Sequence, residues 1–151
     1  MKAGSICQRN VATVRALDDL TSAAQIMREQ HVGYLVVIEP ELVNTAARPI
    51  GVLTDRDIVV SVVARETDPR TLRVGDVMTQ QPIVISEEAS IETALEQMNS
   101  SGVRRLPVVG QRGELVGVLS LDEVLGVIAG EMQNVSGSLR NERQIEGTVR
   151  R

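Results

Sequence analysis

The chain repeats itself. Displaced by 71 positions, residues 2–38 lie on residues 73–109 without a gap: Gly4 meets Gly75, Ala23 meets Ala94, Met27 meets Met98, Val32 meets Val103, Leu35 meets Leu106 and Val37 meets Val108. Most other pairs keep their apolar or polar character, as Ile6 does with Val77 and Leu20 with Ile91. Farther on the displacement is 66, and Gly51-Val52-Leu53 falls on Gly117-Val118-Leu119, so the first copy carries five extra residues in the polar stretch 39–49. With its two prolines that stretch reads as a surface loop. Self-similarity at a fixed period defines the folding unit before any single element is assigned. A unit of roughly 60 residues buries too little of its chain to be comfortably stable alone. Two such units facing each other through their sheets solve that problem and leave clefts along a pseudo-twofold seam.

Each unit reads as β-α-β-β-α. A short turn or helix (5–7, 76–78) leads to a brief strand (12–14, 83–85), and an acidic pair, Asp18-Asp19 or Glu87-Glu88, opens a helix. Its apolar positions are Leu20, Ala23, Ala24 and Met27 in the first copy and Ile91, Ala94, Leu95 and Met98 in the second. That spacing puts them on one face. Two strands follow (34–38 with 50–54; 106–109 with 115–120), and the second pair is joined by Gly110-Gln111-Arg112-Gly113, a hairpin-sized loop. A final helix covers 58–64 or 124–129. The expected division is 2–66, 73–130 and a tail, 131–151, whose ragged stripe of Val135, Leu139, Ile145 and Val149 leaves both helix and partial disorder open.

Composition narrows the function. The apolar residues are Val, Leu, Ile, Ala and Met, with no Trp, no Phe and one Tyr, a core chemistry suited to strands covered by helices. A net charge of −4 lacks the electrostatic footprint of a general nucleic-acid binder. One cysteine, Cys7, excludes an internal disulfide and a cysteine-based zinc site, and reads as a small buried hydrophobe. One histidine, His31, excludes any site that needs two from this chain, and no G-x-S-x-G motif is present. No signal-peptide core and no window of about 20 apolar residues occurs, so a cytoplasmic protein away from the membrane is the expectation. No nucleophile or base with an orienting partner stands out, so an enzyme is the weakest reading.

The pattern resembles a tandem pair of CBS domains, the module named after cystathionine β-synthase. The resemblance covers about residues 2–130 and is carried by Gly51-Val52-Leu53-Thr54-Asp55-Arg56-Asp57, by the segment 117–123 and by Gly102-Val103-Arg104-Arg105-Leu106-Pro107-Val108. It implies an α+β fold of two β-α-β-β-α repeats (a Bateman module), often dimerised into a disc, with up to two clefts per chain. Those clefts take adenosine-containing ligands such as AMP, ADP, ATP, NAD or S-adenosylmethionine, whose status a separate, unidentified partner protein reads. Carried onto this sequence, the Gly-h-h-Thr-x-x-Asp pattern makes Thr54 and Asp57 the residues that hold ribose and phosphate. Arg56, Arg104 and Arg105 supply cations for the phosphate, Tyr34 is a candidate to stack on adenine, and Thr13 and Ser120 complete the set. Asp122 and Glu123 mark a weaker second cleft.

The chemistry stands beside a plainer reading. A carboxylate can accept from both hydroxyls of a ribose diol, and hydrogen bonds to a charged group contribute roughly 1.5–3 kcal/mol each. Yet Thr54-x-x-Asp57 and Ser120-x-x-Glu123 also have the form of helix capping boxes, whose side chains satisfy the N–H groups of a helix start. Glu123 is one methylene longer than the aspartate of the ligand motif, so the first cleft is the expected site. Tyr34 also reads as a half-buried core or interface residue, His31 as an exposed loop residue, and the two arginines as a solvated edge. Two functions therefore stay open, a nucleotide sensor working as a homodimer and a ligand-free scaffold.

Overall fold

The computed structural model describes residues 1–39 and 46–149. Most of the loop expected over 39–49 lies outside them. The first copy contributes β1 (Thr13–Arg15), α2 (Leu20–Gln30), β2 (Tyr34–Ile38), β3 (Pro49–Thr54) and α3 (Asp55–Ile58), which continues as a π-helical turn over Val59–Val63. The second contributes β5 (Ile85–Ser86), α5 (Ile91–Ser101), β6 (Arg105–Val109), β7 (Leu115–Ser120) and α6 (Leu121–Val149). In each, the first strand runs parallel to the second and the second antiparallel to the third. The β-α-β-β-α order thus occurs twice, as the repeat requires.

The helix starts follow their capping chemistry. Asp19 Oδ1 accepts from Ser22 N at 2.8 Å to begin α2, and Ser90 Oγ accepts from Thr93 N at 3.1 Å to begin α5. Both helices end on a left-handed residue at the aligned position, His31 (φ 54°) and Gly102 (φ 65°). Each helix lays its apolar face on its own sheet. Leu20, Ala23 and Met27 meet Leu35, Val37 and Leu53 in the first half; Ile91, Ala94 and Met98 meet Leu106, Val108 and Leu119 in the second.

The leading segments do something the repeat alone does not announce: they cross over. Helix α1 (Ala3–Ile6) adds Ala3 to the core of the second half, and α4 (Val74–Val77) adds Val74 to the core of the first. The backbone anchors match in kind. Ala3 N donates to Ala89 O at 2.8 Å and Gly4 N to Glu87 O at 2.9 Å; Val74 N donates to Asp18 O at 2.9 Å and Gly75 N to Ala16 O at 2.8 Å. After α4 the chain forms β4 (Thr79–Gln80), a short strand absent from the expected elements, which pairs with Val52 and Gly51 of β3. Its counterpart, Gln8, bridges Val118 of β7 with two reciprocal 2.9 Å bonds. Each half is therefore completed by the other's N-terminal segment.

Alternation along the middle strands shows where the halves meet. Leu35 and Val37 face the helices of their own half, whereas Val36 between them points the other way and is still fully buried. Pro107, its repeat partner on β6, is likewise fully buried between Leu106 and Val108. The seam lies on this second face of the two sheets.

Helix α6 absorbs both the expected final helix at 124–129 and the described part of the tail. At 29 residues it is about 44 Å long. Only Val124 is fully buried, with Leu121 and Val127 packed on the core beside it; Leu125, Ile128, Met132, Val135 and Leu139 are exposed. No helix among the described residues is long and apolar enough to cross a membrane.

Candidate functional site

Two openings lie along the seam, one on each side of a single contact. The Arg105 guanidinium stands 5.7 Å from the centroid of the Tyr34 ring. The two residues occupy the same position in the two repeats, the first of β2 and the first of β6, so the contact marks the pseudo-twofold axis. Burial pushes the Tyr34 phenol above its usual pKa, and the positive charge of Arg105 offsets this only in part.

The first cleft has a volume of about 490 Å³, within the range of small-molecule sites. Register places Tyr34 beside Thr54 on the β2–β3 pair, and the chain turns there directly into α3. Thr54 and Asp57 form a full capping box: Thr54 Oγ1 accepts from Asp57 N at 3.1 Å, and Asp57 Oδ2 accepts from Thr54 N at 2.9 Å. Asp57 also lines the cleft, as do Thr54, Arg56, Arg104, Arg105 and Tyr34. Capping and cleft are thus not alternatives in space. The box engages one carboxylate oxygen, and an ionised carboxylate has about four acceptor positions. The far wall is apolar, formed by Val52, Pro82, Ile83 and Val103. An open, half-apolar groove with three arginines at its rim can hold a flat ring against the wall and an anion at the mouth.

The second cleft is its counterpart, about 310 Å³ in volume. Ser120, Asp122 and Glu123 replace Thr54, Arg56 and Asp57 there, and Gly33 stands where the first cleft has Arg104. Ser120 donates both its backbone N–H (2.6 Å) and its hydroxyl to Glu123 Oε2. The longer side chain folds back onto its own helix start. Asp122 reaches Arg104 at 3.8 Å across an exposed surface, a spacing that contributes little in solvent.

The remaining candidates separate. Thr13 is registered against Val36 on β1 and shares its seam-facing side, yet it lines neither opening. His31 is exposed at the end of α2 and also lines neither. Cys7 is half-buried against the core of the second half, and that burial pushes its thiol pKa up. No group of three or more His, Cys, Asp or Glu residues among the described ones could hold a metal ion.

The sequence reading missed Asp55, Gln81 and Ile83 in the first cleft and Gln8 and Asn10 in the second. Gln81 and Asn10 are repeat partners, so the 71-residue alignment held a usable signal. Asp55 follows from Gly33: a Cβ on that glycine would come within 2.6 Å of Asp55 Oδ2, and Asp55 N donates to Gly33 O at 3.0 Å. A side chain at position 33 would displace Asp55 from the cleft mouth.

The CBS domain family model matches residues 3–64 and 74–130, and the chain belongs to that family. Its fold is the Bateman module, a CBS pair. Among curated proteins it is 32% identical over 124 residues to an uncharacterised protein of Methanopyrus kandleri, covering 82% of this chain and 61% of that one. It is 35% identical over 118 residues to hypoxic response protein 1 of Mycobacterium tuberculosis, covering 78% of each. The chain therefore spans less than two thirds of the first relative. Among solved structures, a CBS domain protein from Pyrobaculum aerophilum complexed with AMP superposes with a TM-score of 0.71 at 25% identity, covering 82% of this chain and 89% of that one.

Proposed function

We propose that this chain is a non-catalytic regulatory module of the cytoplasm whose first cleft binds an adenosine-containing ligand and relays its presence to a separate partner protein. The observation that carries the reading is that Asp57 lines an open groove while three arginines, Arg56, Arg104 and Arg105, stand around it. The carboxylate accepts from the ribose diol, the apolar wall takes the adenine, and the arginines face the phosphate. The AMP complex of the Pyrobaculum protein supports the ligand class. A ligand of this kind acts by binding one arrangement of the two halves, or of two chains in a homodimer, better than another. AMP, ADP, ATP and NAD fit this chemistry throughout; S-adenosylmethionine shares the adenosine and offers the arginines a carboxylate in place of a phosphate.

A scaffold without a ligand is the second reading, favoured by the complete capping boxes at both motifs. A thermal-shift panel separates the two. Ligand at ~100 times its Kd adds ~2.7 kcal/mol, and for a domain of this size Tm moves about 2–4 °C per kcal/mol. At least one of the five ligands is expected to raise Tm by several degrees, and Asp57→Ala to lose most of that increment from its own lower baseline. A flat response across all five returns the scaffold reading.

A further inference from the structure

The two clefts share a wall, and that wall holds one positive charge. Tyr34, Arg105 and Gly33 line both openings. The first cleft has Arg56 and Arg104 in addition to Arg105; in the second, Arg105 is the only cation among the described lining residues, facing Asp122 and Glu123, while Arg104 stands outside it, 3.8 Å from Asp122. The repeat explains the imbalance. Exact duplication would put the same charges at both mouths, but Arg56 aligns with Asp122 and Arg104 with Gly33.

We infer that Arg105 couples the clefts negatively for phosphate-bearing ligands: a phosphate in the first cleft withdraws the guanidinium from the second and weakens the same ligand there. The guanidinium rests on the Tyr34 ring, 5.7 Å from its centroid. That contact is a modest one at an exposed site. A charge-assisted bond to phosphate is stronger, so an anion in either mouth can pull the side chain off the ring. One guanidinium carries a single charge and five N–H donors, which two phosphates would have to divide. Where it bridges two phosphates, the anions on either side of it repel each other. Linkage makes the effect reciprocal.

The inference rests on the reading of the first cleft as a nucleotide site, and site-resolved binding separates the two. Methyl-labelled full-length chain is titrated with AMP, Ile83 reporting the first cleft and Val118 the second. In the unmodified protein Ile83 is expected to shift first and Val118 only at higher AMP. In Asp57→Ala, which disables the first cleft at a residue outside the second, the Val118 midpoint is expected to fall at least about fivefold, the lower end of ordinary site–site coupling. Asp57→Asn, which keeps an acceptor for the helix cap, serves if the alanine variant does not fold. A Val118 midpoint unchanged by these substitutions, or no AMP response at Val118 in any of the proteins, overturns the coupling and leaves the first cleft standing. No AMP response at either methyl in the unmodified protein removes the nucleotide site itself, and the coupling with it.

Discussion

Tyr34 and Arg105, equivalent residues of the two repeats, touch each other: the guanidinium lies 5.7 Å from the ring centroid. A pair related by a pseudo-twofold operation meets only where that axis passes between them. At this spot the two repeats differ, one carrying an aromatic and the other a cation, and the two form a complementary pair. A double-mutant cycle in urea with Tyr34→Leu and Arg105→Ala is expected to give an interaction of about 0.5–1 kcal/mol. Strict additivity would mean that the contact contributes nothing.

The crossed-over segments leave no room for a side chain where they pass over the third strands. A Cβ on Gly117 would come within 2.5 Å of Gln8 O and 2.7 Å of Cys7 Sγ; one on Gly51 would come within 2.6 Å of Met78 Sδ. Gly117→Ala is expected to destabilise the fold by about 1–3 kcal/mol, as overpacking does. Gly51→Ala also meets backbone, Thr79 O at 2.9 Å, but that approach is wider than the one at Gln8 O and the nearer atom belongs to a flexible methionine, so the cost is expected to be smaller. Equal midpoints for both variants in denaturant unfolding would contradict the close approach at Gln8.

His31 ends α2 with φ 54°, where the aligned residue of α5 is Gly102. A non-glycine residue in this region costs roughly 1–2 kcal/mol, partly regained by the backbone bond that closes the helix. His31→Gly is expected to raise Tm by about 2–4 °C, with no change in ligand response because the imidazole lines neither cleft. A lower Tm would show that the histidine side chain makes a contribution larger than the strain.

Helix α6 carries Leu125, Ile128, Met132, Val135 and Leu139 at alternating spacings of three and four, all exposed. That is the spacing of a coiled-coil stripe, and a second copy of the chain is the cover we expect for it. Met132→Glu combined with Leu139→Glu is expected to halve the mass seen by light scattering while leaving the fold intact by circular dichroism. A mass unchanged by both substitutions would show that this stripe does not join two chains.

Much of the fold is legible in the sequence. The offset of 71 residues predicts that two sheets and two cores exist, and Leu20, Ala23 and Met27 reappear on the buried face of α2 as the periodicity requires. Thr54 and Asp57 supported two readings, a cap and a ligand contact, and the structure makes both available to the same side chains. Boundaries drifted where pattern is thin: the strand expected over 83–85 is Ile85–Ser86, and the stretch past 130 continues α6 because nothing interrupts its hydrogen bonding.

Sequence by itself determined the element order, the apolar faces and the chemistry of the helix starts, since these depend on residues within a few positions of one another. Tertiary structure alone decided that α1 completes the second half and α4 the first, and that Arg105 rather than solvent covers Tyr34. The reason is physical. The two copies present nearly the same apolar pattern, so α1 matches either core equally well on the page. Only the geometry of the linkers and the close passage over Gly51 and Gly117 select one pairing.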